Sequence, residues 1–158
     1  MTHKGKRNAS WAVCALWMAL IFAMSAATGE VSGEQSGLLV RLLTALLPKG
    51  ILLDEAVLSA LETLVRKAAH MAEYAVLFCL YRHALRLSGV KRAGIIALAL
   101  SVGYAVTDEI HQAFVPGRGP SPIDVMIDGC GALLGWAALR LCKRLIRSYR
   151  QRSAPDGE

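Results

Sequence analysis

The sequence has none of the short patterns that point directly to a known chemistry. Its four cysteines lie apart in apolar segments, without CxxC spacing, so we expect small buried hydrophobic residues. No HExxH metal signature and no evident serine or cysteine nucleophile motif is present. Aromatic residues make up 6% of the chain and do not alternate with basic runs, so the net charge of +6 does not indicate nucleic-acid binding. These absences exclude a disulfide framework and a cysteine zinc site.

Apolar residues are what the chain has in excess. Hydrophobic residues make up 54% of its 158 residues, against about 45–50% in soluble domains. Residues 8–29 carry no formal charge and are long enough to cross a bilayer as a helix. A secretory signal peptide is the alternative, because the start is basic, but its apolar core is usually only ~7–15 residues long. We therefore favour a retained membrane helix.

Three further apolar segments follow, at about 64–87, 93–113 and 123–145. None is a clean apolar span, since only 74–81, 93–107 and 129–139 are free of charged residues. Each can still cross the membrane if its polar end packs against the other helices. The fold predicted is all-α: a polytopic membrane protein with a bundle of four transmembrane helices, as one domain over residues 8–145.

The placement of charge predicts the orientation of this bundle. With both termini cytoplasmic, thirteen of the 18 basic residues lie on the cytoplasmic side of the cell (inner) membrane. Ten of the 12 acidic residues then lie on the outer side. Residues 146–158 form a basic and polar cytoplasmic tail. In the first outer loop, turn-rich TGEVSGEQSG precedes LLVRLLTALL, which is ended by Pro48 and predicts a short interfacial helix, either a lid or a gate.

Ionisable residues at helical spacing gather at one end of three segments, all on the predicted outer face. Charges in a bilayer are costly and usually face a bundle interior or a cavity. Gly131 and Gly135 continue the aspartate face of the last segment and predict close helix packing. The loop VPGRGPSP is stiffened by its prolines and could aim Arg118 over the polar residues.

Three interpretations of this cluster stay open. It could be a buried polar network that fixes helix register, a divalent metal site, or a site that recognises a polar headgroup, with or without chemistry on it. In the third case Arg66 and Arg118 would hold phosphate, and His70 or His111 would act as general base. The candidate catalytic residues are His70, Glu73, Asp108, His111 and Asp128. The candidate metal ligands are His70, Glu73, Asp108, His111, Asp124 and Asp128. The candidate ligand-binding residues are Arg66, Lys67, Glu109, Gln112, Arg118 and Asp124.

Several of these motifs are similar to those of a known family. RKAAHMAEYAVLFCL (66–80) and GYAVTDEIHQAFVPGRGPSPIDVMIDGCGALLG (103–135) resemble the VanZ-like family, as does the pattern that ends the first helix, made by Ser25, Gly29, Glu30, Ser32 and Gly33. The resemblance covers roughly residues 10–145. It implies a small polytopic bacterial membrane protein, in a family named for a protein associated with low-level teicoplanin resistance. The family's characteristic polar positions would be the ones selected above.

Together these features predict a bacterial integral membrane protein with an outward-facing polar pocket and a role in the cell envelope. The pocket would recognise a lipid-linked or phosphorylated headgroup, and the resemblance adds a part in glycopeptide resistance. Its partners would be membrane lipids and a lipid-linked envelope precursor, with no nucleic acid. The alternatives are a metal-dependent hydrolase or transferase acting on envelope lipids, and a structural membrane protein. The sequence leaves open whether the protein is an enzyme.

Overall fold

Five helices make up the described part of the protein. The computed structural model describes residues 2–46 and 53–152, and no strand occurs within those ranges. The helices are α1 (His3–Ser25), α2 (Gly29–Thr44), α3 (Glu55–Leu87), α4 (Ala93–Gln112) and α5 (Pro122–Arg152). The all-α prediction is confirmed. Pro48, where we expected the loop helix to end, and the tail beyond residue 152 lie outside the described residues.

Helix α3 is the centre of the bundle. Its 33 residues make it about 50 Å long at a rise of 1.5 Å per residue, and it contacts each of the other four helices. Tyr74, Leu77, Phe78 and Tyr81 recur every three or four residues and are buried, so they form one continuous apolar stripe. The helix stops where Gly89 adopts a φ of +77°, a left-handed conformation that glycine accepts without strain.

Helix α5 packs on α3 through its glycines, as the sequence predicted. A Cβ atom at Gly131 would overlap the backbone of Met71, and one at Gly135 would lie 2.5 Å from the carbonyl oxygen of Ala75. Only residues without a side chain allow two helix backbones to approach this closely. The contact fixes the depth of the α5 aspartates relative to α3.

Helices α1 and α4 run in one direction and α3 and α5 run in the opposite one, so the bundle has two distinct ends. At one end the indole Nε1 of Trp11 donates to Ser88 Oγ over 3.1 Å, which joins the start of α1 to the end of α3. At the other end the side-chain amide of Gln112 donates to Ser25 Oγ over 2.5 Å, joining the last residues of α4 and α1. We call this second end the polar end. Because α3 and α5 run the opposite way, the polar residues near the middle of α3 and those at the start of α5 also lie there.

Three helices are long and apolar enough to cross a membrane: α1, α4 and α5, the last over Pro122–Gln151. Large apolar side chains are exposed on their outer faces, as expected of surfaces that meet lipid. Among the described helices, α3 falls outside this group because charged residues flank its short apolar stretch 74–81. A membrane protein is therefore supported, and a fourth span through α3 stays a prediction.

Helix α2 begins earlier than the sequence predicted. TGEVSGEQSG is not a run of turns, since the helix starts at Gly29 and Thr28 Oγ1 accepts from the backbone N–H of Val31 at 3.4 Å. The buried face of α2 consists mainly of small residues, including Ser32, Ser36 and Gly37. This face lies against α3, the one described helix that α2 contacts. Tertiary packing thus overrides the weak helix propensity of Ser and Gly. An interfacial position for α2 stays a prediction.

The cysteines contradict in part the expectation that all four are buried. Cys14 is buried in the core, and Cys79 is half-buried. Cys130 and Cys142 are exposed on the surface of α5, so they are not small core residues. All four are free thiols. The sequence could not distinguish these positions, because α5 carries apolar residues on its exposed face as well as on its packed face.

Candidate functional site

A polar cavity of about 220 Å³ opens at the polar end. It lies between α3, α4, α5 and the loop 113–121, and its wall carries both basic and acidic side chains. Sequence-predicted residues on that wall are Arg66, Lys67, His70, Glu109, Gln112, Arg118, Asp124 and Asp128. Residues from three separate helices and one loop therefore meet around one cavity.

Three of the candidate residues form a compact group at this cavity. His70 on α3, Asp108 on α4 and Asp128 on α5 each present a ligand atom, and these atoms lie within 4.8 Å of one another. We call these residues the trio. Asp108 is 2% exposed and Asp128 is 3% exposed. Among the described residues, no hydrogen-bond partner reaches Oδ1 of either aspartate or Nδ1 of His70. Buried polar atoms normally have partners, and three further atoms share this lack: Glu73 Oε2, Tyr74 Oη and His111 Nδ1.

Two other acids of the cavity already have partners. Lys67 Nζ contacts Asp124 Oδ1 at 2.6 Å, across the partly exposed boundary between α3 and α5. Glu109 Oε1 accepts the backbone N–H of Ser121 at 2.6 Å, just before Pro122 begins α5. The partly exposed Lys67–Asp124 ion pair contributes at most about 1 kcal/mol to the stability of the fold. These acids hold helices and the loop together, and neither belongs to the trio.

Gln112 connects the trio to the loop. Its side-chain amide donates to Asp108 Oδ2 at 3.2 Å, and its carbonyl oxygen accepts from Arg118 Nη1 at 3.2 Å. Burial, together with the positive charge of Arg66, lowers the pKa of the Arg118 guanidinium from its ordinary value. The chain of contacts places Arg118 over the polar cavity, as the stiff loop sequence had suggested.

A contact between two glycines holds this loop against α2. The backbone N–H of Gly29 donates to the carbonyl oxygen of Pro116 at 3.2 Å. A Cβ atom at Gly29 would overlap the carbonyl group of Gly117, whose φ is +75°. The first residue of α2 thereby fixes the position of the loop that carries Arg118.

Two predicted residues lie outside the trio. Glu73 Oε2 is 3.7 Å from His70 Nδ1, too far for a hydrogen bond. The ring of His111 packs edge-on against Phe22 with centroids 4.0 Å apart, so it faces α1 and is not part of the cavity wall. Of the two candidate bases, His70 is therefore the one that reaches the polar cavity.

A second, mainly apolar cavity of about 140 Å³ adjoins the first. We call it the apolar groove. It runs between α2 and α3, where Met24, Leu39 and Val65 form part of its wall. Arg66, His70 and Arg118 border both cavities. Sequence reasoning missed this groove because it depends on α2 lying along α3, which no motif indicates.

Sequence reasoning also missed Ser25 and Ser121. Ser25 accepts from Gln112, and Ser121 donates its N–H to Glu109, so both orient cavity residues. Ser25 is the first residue of the pattern that ends the first helix, and that pattern could have identified it as a site residue.

Comparisons with known proteins agree with these motifs. The family model described as VanZ/LLP1 matches residues 10–143, a range that includes both cavities and the trio. No curated protein and no solved structure matches the chain.

Proposed function

The chain belongs to the VanZ/LLP1 family, and we propose that it is a bacterial cell-envelope membrane protein that binds a phosphorylated lipid headgroup. The polar cavity receives the headgroup, and the apolar groove receives part of the lipid chain. The observation that carries the proposal is a polar cavity lined by Arg66 and Arg118, neither of which forms an ion pair in the described ranges, joined to an apolar groove among membrane-type helices.

The two guanidinium groups are available for an anion. Arg118 bonds to the neutral amide of Gln112, and within the described ranges neither Arg66 nor Arg118 forms an ion pair with a carboxylate. A guanidinium presents a planar fork of donors that matches two phosphate oxygens, whereas Lys67 is already paired with Asp124. Arg66 and Arg118 are therefore the expected phosphate contacts.

The junction of the cavities favours a lipid over a free phosphate. Arg66, His70 and Arg118 stand where the polar wall meets the apolar one. A molecule with a charged head and an apolar tail would satisfy both walls at once, because its tail leaves water as its phosphate meets the guanidinium groups. The protein is thus proposed to bind an amphiphile, such as a lipid-linked envelope precursor.

The orientation in the membrane is part of the proposal. In it, α3 is the fourth span, shielded by the helices that surround it, and the polar end faces outward. The excess of Lys and Arg at the opposite end supports this orientation. An outward-facing headgroup site would meet the surface on which glycopeptides act, which is how a part in teicoplanin resistance would arise.

An enzyme is the second candidate function. The unpartnered trio beside the cavity favours it, because a histidine and two carboxylates are the groups used for metal-dependent hydrolysis or group transfer. A purely structural network explains the buried charges less well. Interhelical polar contacts stabilise by only ~0.6 kcal/mol on average, and the trio's buried aspartates make incomplete sets of hydrogen bonds.

The first prediction concerns the arginines. Binding of hexadecyl phosphate to the detergent-purified protein should weaken about tenfold or more in Arg66→Gln and in Arg118→Gln, as expected for loss of a charge-assisted contact. The measurement is a titration followed by tryptophan fluorescence. Arg86→Gln is the matched control, because Arg86 is exposed at the opposite end of α3. Unchanged binding in both variants, or no binding to the unmodified protein, contradicts the proposal. Steady release of inorganic phosphate in the same mixture would favour the enzyme.

The second prediction concerns the apolar groove. Affinity for alkyl phosphates should rise with chain length, by up to about fourfold per methylene that enters the groove. Val65→Trp fills the groove and should remove this dependence while leaving the affinity for butyl phosphate unchanged. Val57→Trp is the control, since Val57 is an exposed α3 residue outside the groove wall. A chain-length dependence that survives in Val65→Trp would place the tail elsewhere.

A further inference from the structure

We infer that His70, Asp108 and Asp128 bind a divalent metal ion, Zn²⁺ or Mn²⁺. The inference deepens the proposed function, because it adds a cation to the same cavity. It rests on its own observations: the convergence of three ligand atoms, the burial of the two aspartates and the atoms that lack a partner.

The geometry is that of a metal site assembled from a bundle. One ligand comes from each of α3, α4 and α5, so the fold and not a local motif brings them together. Ligand atoms around an ion at about 2.1 Å stand at most about 4.2 Å apart. The trio atoms lie within 4.8 Å of one another, so coordination would require them to move closer by several tenths of an ångström.

The buried aspartates have oxygens without hydrogen-bond partners, which points to a ligand that supplies positive charge. Oδ1 of Asp108, Oδ1 of Asp128 and Nδ1 of His70 have no hydrogen-bond partner in the ranges 2–46 and 53–152. Within those ranges no lysine or arginine forms an ion pair with Asp108 or Asp128, and Lys67 pairs with Asp124 instead. A divalent cation would neutralise the two carboxylates and occupy these atoms.

The donor set selects the class of metal. One imidazole and two carboxylates suit Zn²⁺ or Mn²⁺, whereas Cu(I) and iron–sulfur clusters require soft sulfur ligands. None of the four cysteines belongs to the group. Three protein ligands leave coordination positions open, as in catalytic and substrate-binding sites.

Gln112 is placed to support such an ion. Its amide donates to Asp108 Oδ2, while Oδ1 of that carboxylate has no hydrogen-bond partner among the described residues. Groups that orient metal ligands in this way strongly affect metal affinity. His70 and Asp128 also line the polar cavity, so an open coordination position would face the bound phosphate near Arg66 and Arg118.

The test measures metal binding without any lipid. Untagged protein in detergent is stripped with EDTA, dialysed and titrated calorimetrically with ZnCl₂ and with MnCl₂. We expect one ion per chain and an increase in Tm when the ion is added. Asp128→Asn and His70→Gln should each weaken the affinity at least tenfold. Glu55→Gln is the control, because Glu55 is an exposed carboxylate at the start of α3 that lines neither cavity and lies outside the trio.

The outcomes separate this inference from the proposed function. Failure of the unmodified protein to bind either metal overturns it, and so does equal affinity in Asp128→Asn, His70→Gln and Glu55→Gln. If one variant does not fold, as judged by circular dichroism, the other variant still decides. Binding of hexadecyl phosphate to the EDTA-treated protein would leave headgroup recognition standing even where metal binding fails.

Discussion

Gly131→Ala should destabilise the protein by about 2 kcal/mol or more, although alanine is the better helix former by about 1 kcal/mol. The added Cβ atom would overlap the backbone of Met71, which cannot rotate away as a flexible side chain can. Helices α3 and α5 must then separate, and the buried stripe of α3 loses its packing. Thermal unfolding in detergent, followed by circular dichroism, measures the loss.

Gly129→Ala is the control for this prediction, and it should act in the opposite direction. Gly129 lies on the same helix two residues earlier, and a Cβ atom there would lie 3.7 Å from a methyl carbon of Val102, an ordinary contact. Helix propensity then dominates, so Gly129→Ala should leave stability unchanged or raise it slightly. Equal Tm values for the two variants would mean that α3 and α5 do not pack as closely as the structure shows.

Gly29→Ala should weaken binding of hexadecyl phosphate about tenfold while leaving the bundle folded. Its Cβ atom would overlap the carbonyl group of Gly117, so the loop 113–121 must shift away from α2. Arg118 shifts with the loop and loses its charge-assisted contact with the phosphate. The measurements are the same fluorescence titration and the Tm.

Gly33→Ala separates this effect from a general effect on α2. Gly33 lies one turn further along the helix, where a Cβ atom would meet nothing within 4 Å. We expect Gly33→Ala to bind the alkyl phosphate as the unmodified protein does. Wild-type affinity in Gly29→Ala would show that the loop position does not depend on the glycine contact, and the role of Arg118 would then need another explanation.

The sequence predicted most of the bundle because its strongest signals are local. Apolar runs located α1, α4 and α5, and the spacing of Gly131 and Gly135 located the close contact. It could not predict the start of α2, because Gly and Ser favour turns unless a partner helix covers them. That cover comes from α3, which is distant in sequence.

The composition of the site was easier to predict than its pairing. Asp124 and Asp128 share one face of α5, and only the structure shows that Asp124 meets Lys67 while Asp128 has an unpartnered oxygen. His111 lies three residues after Asp108, which places its side chain about 60° around the helix and against Phe22. Spacing within one helix defines a face, whereas the neighbour on the next helix decides what each side chain touches.

The close approach of α3 and α5 at Gly131 also affects how rigid the site is. His70 precedes Met71, whose backbone touches Gly131, and Asp128 lies one turn before that glycine. Two members of the trio therefore stand on backbone that cannot slide or tilt without breaking the contact between Gly131 and Met71. A site held in this way is preorganised: little conformational freedom is left to lose when a ligand arrives, so more of the interaction energy appears as affinity.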